Sequence, residues 1–292
     1  MKCSRLCLML ANVRPLITAF LLILLCPSVH AELLLTSPPR ENAATGQKQY
    51  APLAAMLTEL LGEKVTYQQP KGWLFYQRDL RADTYDIIFD GPHFISWRIH
   101  QFEHVPVAKL PGKLGFIMVA SKASREVNRL DDLVNVPVCG IAPPNLSTLT
   151  VLAQYSNPVR QPRLITPKGG MAGVYKAFKN GKCKAAILRD KFFEKKVPEQ
   201  ERENLKVVYK SVPAANQGIT VSSRVSTEQR KLIAAALTEV NAATEPTLKR
   251  FAPKAEKMIP ATADDYAEYY RLLTGVIFGW EITNPNFVNS EK

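Results

Sequence analysis

The order of apolar runs along this chain predicts an α/β protein of two lobes, each a mostly parallel sheet flanked by helices, joined by two hinge crossovers. Two observations carry the expectation. The pattern strand-helix-strand-helix-strand occurs over residues 33–89 and again over residues 136–188. Residues 82–98, Ala-Asp-Thr-Tyr-Asp-Ile-Ile-Phe-Asp-Gly-Pro-His-Phe-Ile-Ser-Trp-Arg, run a short apolar strand into a Gly-Pro turn that must open a helix. Pro92 suits the first helical turn, where its missing N–H costs nothing, and Gly91 lets backbone approach closely. Asp90 and His93 are thereby carried to a strand's C-terminal mouth, where open α/β sheets bind ligands.

Each element has its own signal. Leu33-Leu34-Leu35 reads as the first strand. A helix is expected over 47–61, with Tyr50, Leu53, Ala54, Leu57 and Leu61 on one face and Gly62 as its stop. Strands follow at 65–67 and 85–89, with a helix at 73–81 between them; such alternation implies right-handed crossovers. A strand at 116–120 and a helical turn at 130–133 precede the second unit. There, strands at 136–141, 163–166 and 184–188 alternate with helices at 147–155 and 172–180. Further strands are expected at 207–209 and 218–221. Ser226-Thr227-Glu228-Gln229 is a capping box for a helix reaching about residue 241. A last helix is expected over 262–274. The lobes then comprise residues 32–118 plus 219–292, and residues 119–218.

Bulk properties narrow the function classes. Residues 1–31 read as a cleaved signal peptide: Lys2, Arg5 and Arg14 lead an apolar run to Cys26, and Val29-His30-Ala31 supplies a small-x-small cleavage pattern. The protein is expected in the periplasm. Without those three basic residues the formal charge of +12 falls to +9. Such a charge suits an anionic ligand or an anionic membrane surface. Nucleic acid is excluded, because no Lys/Arg stripe interleaves with aromatics. Cys139 and Cys183 remain after export; two buried thiols are expected, with a disulfide as the alternative. No CxxC pair, HExxH or histidine cluster calls for a metal, no cofactor is implied, and no nucleophile–base set points to an enzyme.

Several segments resemble the phosphate/phosphite/phosphonate-type periplasmic substrate-binding proteins of ABC transporters. They are Tyr50-Ala51-Pro52-Leu53 through Leu60-Leu61-Gly62-Glu63-Lys64-Val65, Tyr85 through Pro92, Leu130-Asp131-Asp132-Leu133 with Val136-Pro137-Val138, Ser147-Thr148, and the 173–187 stretch. The resemblance implies the type II periplasmic-binding-protein fold. It also implies capture of a small ligand, above all a phosphate- or phosphonate-like oxyanion, for an inner-membrane ABC permease or a sensor protein, by a monomer. This chain departs from the family pattern. His93 stands where an aromatic hydroxyl is usual, Leu149-Thr150 replace Ser-Gly, and Lys184 replaces an acid. Arg189 occupies the strand mouth beyond, which argues against an aminophosphonate.

Candidate ligand residues follow. Ser147 and Thr148 either offer hydroxyls and helix-end N–H groups to an anion or form an ordinary cap. Asp90 either accepts a hydrogen bond from a protonated oxyanion or caps its turn. His93 is a donor beside it. Arg40 either clamps an anion or pairs with Glu41. Trp73 walls the cleft or packs in the core. Arg189 serves the second lobe, and Asn216 lies near the return crossover. An alternative cargo is an apolar molecule, a lipid or sterol, lined by Ile87, Ile88, Phe89, Phe94, Ile95 and Trp97.

Overall fold

The computed structural model describes residues 32–274; the expected signal peptide lies outside the described residues. The first lobe opens with β1 (Leu33–Thr36), α1 (Ala43–Leu61), β2 (Val65–Gln68), α2 (Trp73–Arg81), β3 (Ile87–Asp90), α3 (Pro92–Phe102) and β4 (Val105–Lys109). After β5 (Lys113–Leu114), the second lobe holds β6 (Phe116–Ser121), β7 (Pro137–Cys139), α4 (Leu146–Leu152), β8 (Arg163–Ile165), α5 (Gly170–Lys179), β9 (Ala185–Arg189), α6 (Asp190–Lys196), α7 (Glu199–Arg202) and β10 (Leu205–Lys210). The chain returns through β11 (Ala214–Ala215) to β12 (Gly218–Val221), α8 (Thr227–Thr238), α9 (Glu245–Phe251) and β13 (Ile259–Pro260). None of the described helices is long and apolar enough to cross a membrane.

Both main sheets share one plan. Their orders are β13-β4-β12-β3-β1-β2 and β10-β6-β9-β7-β8. Pairing is parallel among β2, β1 and β3, and among β8, β7 and β9. The inserted strands, β12 and β6, run antiparallel to both neighbours. The sheets are therefore mixed rather than mostly parallel, for a topological reason. A strand entered from the crossover side must run away from it, whereas the strands of the βαβ units end there. The crossovers themselves pair as β5 and β11, antiparallel. The chain thus leaves the first sheet after Lys109 and starts the second at Phe116, so the expected 118/119 boundary falls inside β6.

Strands buried on both faces account for the unbroken apolar runs. Along β3, Ile87 and Phe89 enter the core beneath α1 and α8, while Ile88 faces the opposite way toward Tyr76, Tyr85 and Phe94. The period of two sorts them. Fully burying each such side chain is worth about 1.5–3 kcal/mol. The second lobe repeats this in β9, with Ala186 and Leu188 on one face and Ala185 and Ile187 on the other.

Local departures have local causes. α1 begins at Ala43, ahead of the expected 47, because the Asn42 side chain accepts from Thr45 N. Cys139 and Cys183 form a disulfide, with Cα atoms 5.6 Å apart, rather than remaining two thiols. Cys139 ends β7 and Cys183 lies two residues before β9, which pairs with β7, so the two positions meet at the sheet. The expected helix over 262–274 is two 3₁₀ turns, Ala263–Tyr266 and Tyr269–Leu273. They serve different neighbours: Tyr266 Oη donates to Asn216 O, whereas Leu273 packs with Tyr76 and Phe94. The capping box at Ser226 is present, its Oγ accepting from Gln229 N at 3.2 Å. Ser226→Ala is expected to cost about 1 kcal/mol, read as a lower urea midpoint.

Candidate functional site

The strand mouths of the two lobes meet. His93, in the first turn of α3, places Nε2 2.9 Å from Pro144 O, just before α4 in the other lobe. Leu149 of α4 packs among Tyr76, Phe94 and Leu273 of the first lobe. Ser147 and Thr148 are fully buried at this junction, as is Asp90. The turn after β3 and the turn after β7 therefore share one interlobe seam, as the strand-end reading expects.

Both oxygens of Asp90 are engaged by the protein itself. Arg98 Nη1 donates to its Oδ2 at 2.7 Å, Tyr76 Oη donates to the same oxygen, and Gly91 N donates to Oδ1 at 2.6 Å. Arg98 is 1% exposed, and Nη2 also donates to Thr220 Oγ1 at 2.9 Å. This carboxylate is a scaffold that fixes the β3–α3 turn, with no oxygen left idle for a ligand. The hydroxyls of Ser147 and Thr148 are also committed, to Asn145 Oδ1 and Ile141 O. Asn145 is the cap of α4, accepting from Ser147 N at 3.1 Å.

Other expected contacts sort by partner. Glu41 pairs with Arg250 at 2.5 Å and not with Arg40. Asn216 Nδ2 donates to Pro111 O, and its Oδ1 accepts from Gln217 N, which ties the two crossovers together. Trp73 stacks on Phe94, with ring centroids 6.2 Å apart, so it packs against the seam's aromatic cluster. Ile87, Ile88, Phe89, Phe94 and Ile95 are core residues at 1% exposure or less, and Trp97 packs beside them. Their side chains are spent on core packing, and Trp97 alone of the six is partly exposed.

Buried polar atoms without a hydrogen-bond partner are scattered through the described residues, Glu41 Oε1 and Oε2, Gln49 Nε2, His104 Nδ1 and Gln217 Oε1 among them, and three more sit at the strand mouths. Arg40 Nη1, His93 Nδ1 and Arg189 Nε are buried without a hydrogen-bond partner. Arg40 Nη2 stands 3.9 Å from Asp90 Oδ1, too far for a hydrogen bond, and its guanidinium lies 5.9 Å over the Phe251 ring. The Phe251 ring also faces a groove of about 950 Å³ bounded by both lobes and both crossovers. Arg189, Lys191, Lys195, Arg250 and Lys257 line it, against one acid, Glu256. Burial lowers the Arg189 pKa, and the Asp190 carboxylate beside it opposes the shift. A second concavity, about 740 Å³ in the second lobe, is different. Its Tyr175 and Lys179 are spent on Glu201.

The family model for ABC transporter, phosphonate, periplasmic substrate-binding protein matches residues 35–266. The chain belongs to this family. No curated protein matches this family member by sequence. Solved structures share its fold. A Xanthomonas citri protein bound to ATP superposes with a TM-score of 0.64 at 12% identity, covering 84% of this chain and 96% of that one. PhnD1 from Prochlorococcus marinus, in complex with methylphosphonate, gives 0.58 at 14%, covering 84% and 99%. A binding protein component of a Pseudomonas aeruginosa ABC phosphonate transporter gives 0.56 at 17%, covering 83% and 85%.

Sequence reasoning missed Arg98, Arg250 and Phe251 in this substrate-binding protein. Arg98 did leave a signal: it lies one turn beyond Phe94 and Ile95, on the apolar face of α3, where a charge needs a buried opposite. Arg250 left none, because Lys249-Arg250 reads as a solvated pair.

His93 gives the protein a pH dependence. Burial pushes its pKa from 6.5 down to about 3; the Pro144 carbonyl opposes that shift, while Arg40 and Arg98 add to it. His104 is lowered to about 4, first by burial and then by Arg98. A depressed histidine pKa means that the unfolded chain binds the proton more readily. Stability is then complete above about pH 6.5 and is lost as pH falls toward the folded pKa values. Each histidine contributes a slope of up to about 1.4 kcal/mol per pH unit. Urea midpoints should fall steadily from pH 7 to pH 5, where carboxylates barely titrate; a flat profile contradicts this.

Proposed function

We propose that the protein captures a small phosphate- or phosphonate-like oxyanion between its lobes and delivers it to an inner-membrane ABC permease. The single observation behind this reading is a buried, unpartnered guanidinium nitrogen from each lobe, Arg40 Nη1 and Arg189 Nε. Such donors carry a desolvation cost that a bound anion offsets. A groove lined by lysines and arginines draws anions toward them. The paired crossovers supply a hinge, and closure brings the two donors onto one ligand. On this reading the chain acts as a monomer in the periplasm after loss of residues 1–31, and it performs no chemistry on its cargo. The closed form, bridged by His93 and Pro144, is what the permease recognises.

Methylphosphonate, which PhnD1 binds, is the first probe, with phosphite and phosphate beside it. Calorimetry should return at least one Kd below about 100 μM, a ΔG near −5.5 kcal/mol. Arg40→Ala and Arg189→Ala should each weaken that binding by about ten- to a hundredfold, the worth of a hydrogen bond to a charged group. Silence across the panel contradicts the proposal.

A further inference from the structure

We infer that the cleft selects an oxyanion that still carries a proton, and that His93 Nδ1 accepts the hydrogen bond which that proton donates. The inference rests on the oxyanion reading above and names the ionisation state of its ligand. The argument starts from a carbonyl. Pro144 O can only accept, so His93 Nε2, 2.9 Å away, must carry the hydrogen. The imidazole is 3% exposed and neutral at ordinary pH, since burial holds its pKa near 3. A neutral ring with its hydrogen on Nε2 has a bare lone pair on Nδ1. That nitrogen is buried and has no partner.

The surroundings say what should meet it. The space that a side chain at residue 91 would fill lies 3.2 Å from His93 Nδ1 and 3.7 Å from Arg40 Nη2. A Cβ there would also stand 3.1 Å from His93 Cε1, tighter than ordinary contact, so only glycine fits beside the ring. An anion drawn to Arg40 would meet its guanidinium and the Nδ1 lone pair together. Four charged or titratable groups surround the ring. Arg40 and Arg98 repel a proton from it, and Tyr76 donates to Asp90. Both oxygens of Asp90, the residue expected from sequence to accept a hydrogen bond from the ligand, already accept from Arg98, Tyr76 and Gly91 N. A fully ionised oxygen against the Nδ1 lone pair would leave both acceptors unpaired and in repulsion, whereas a P–O–H donates to it.

The test compares two monoanions of the same shape. Singly protonated methylphosphonate and methanesulfonate are both tetrahedral with one negative charge, and only the former carries a proton. Calorimetry on the intact mature protein at pH 6 should show methylphosphonate binding at least about 100-fold more tightly. Its affinity should then fall tenfold per pH unit above its second ionisation, which lies higher than the value of about 6 for a phosphate monoester. In the free protein, the ¹⁵N shift of His93 Nδ1 should be that of an unprotonated ring nitrogen. Equal binding of the two monoanions, an affinity unchanged through the second ionisation, or a protonated Nδ1 overturns the inference and leaves oxyanion capture standing. No binding of either compound at any pH overturns both.

Discussion

Arg98→Ala is expected to destabilise the folded protein by about 3–5 kcal/mol, because it strands a charge that has no route to water. Asp90 is fully buried, and Arg98, 1% exposed, is the cation that compensates it at 2.7 Å. Arg40 stands 3.9 Å away and cannot take over that hydrogen bond. Tyr76 and Gly91 N remain as donors, but neither brings a positive charge. The loss should be largely reversed in the double variant Arg98→Met, Asp90→Asn, which removes both charges and keeps an acceptor for Tyr76. Urea denaturation of the two variants and the native protein measures the difference. A penalty under about 1 kcal/mol for Arg98→Ala, against the larger figure for breaking a buried pair, would falsify the assignment of Asp90 as a scaffold carboxylate.

The second large effect belongs to the Cys139–Cys183 bridge. It spans 44 positions and links β7 to the start of β9, closing α4, β8 and α5 into one loop. Chain-entropy reasoning gives about 4 kcal/mol for a loop of this length, and typical measured values are about 2–4 kcal/mol. Replacing both cysteines by serine should lower the urea midpoint accordingly, and reductant should do the same to the native protein. Identical unfolding curves with and without reductant would contradict the expected contribution. The β7–β9 pairing of Val138 with Ala185 and Cys139 with Ala186 is the part that should loosen first.

Much of the fold was legible because its signals are local. The Ile87-Ile88-Phe89 strand, the Pro92 helix start and the Ser226 capping box depend on neighbours a few residues away. Strand direction was not. That β12 slots antiparallel between β3 and β4 depends on where a distant crossover re-enters the sheet. The disulfide was likewise a question of sheet neighbours, since a separation of 44 positions carries no pairing information.

The region of the candidate site was legible in the sequence, whereas the partners of its side chains were not. Arg40, His93 and Arg189 are at the cleft with unmet polar atoms, as strand-end reasoning suggests. Asp90, Ser147 and Thr148 lie there too, but each is hydrogen-bonded to a partner, Arg98, Asn145 and the Ile141 carbonyl, while Glu41 is ion-paired with Arg250 and keeps both oxygens without a hydrogen bond. A sequence shows which residues reach a strand mouth. Which of them are already satisfied depends on side chains arriving from α3, α9 and the far lobe.

Two donors from separate lobes, closing on one anion, are the core of this account, and a crystal structure grown with methylphosphonate tests them together. The expected result is a tetrahedral ligand at the seam, within hydrogen-bonding reach of Arg40 and Arg189, with one oxygen on His93 Nδ1. A ligand bound elsewhere, for example in the second-lobe concavity by Tyr175 and Glu201, with Arg40 and Arg189 left unengaged, would contradict it.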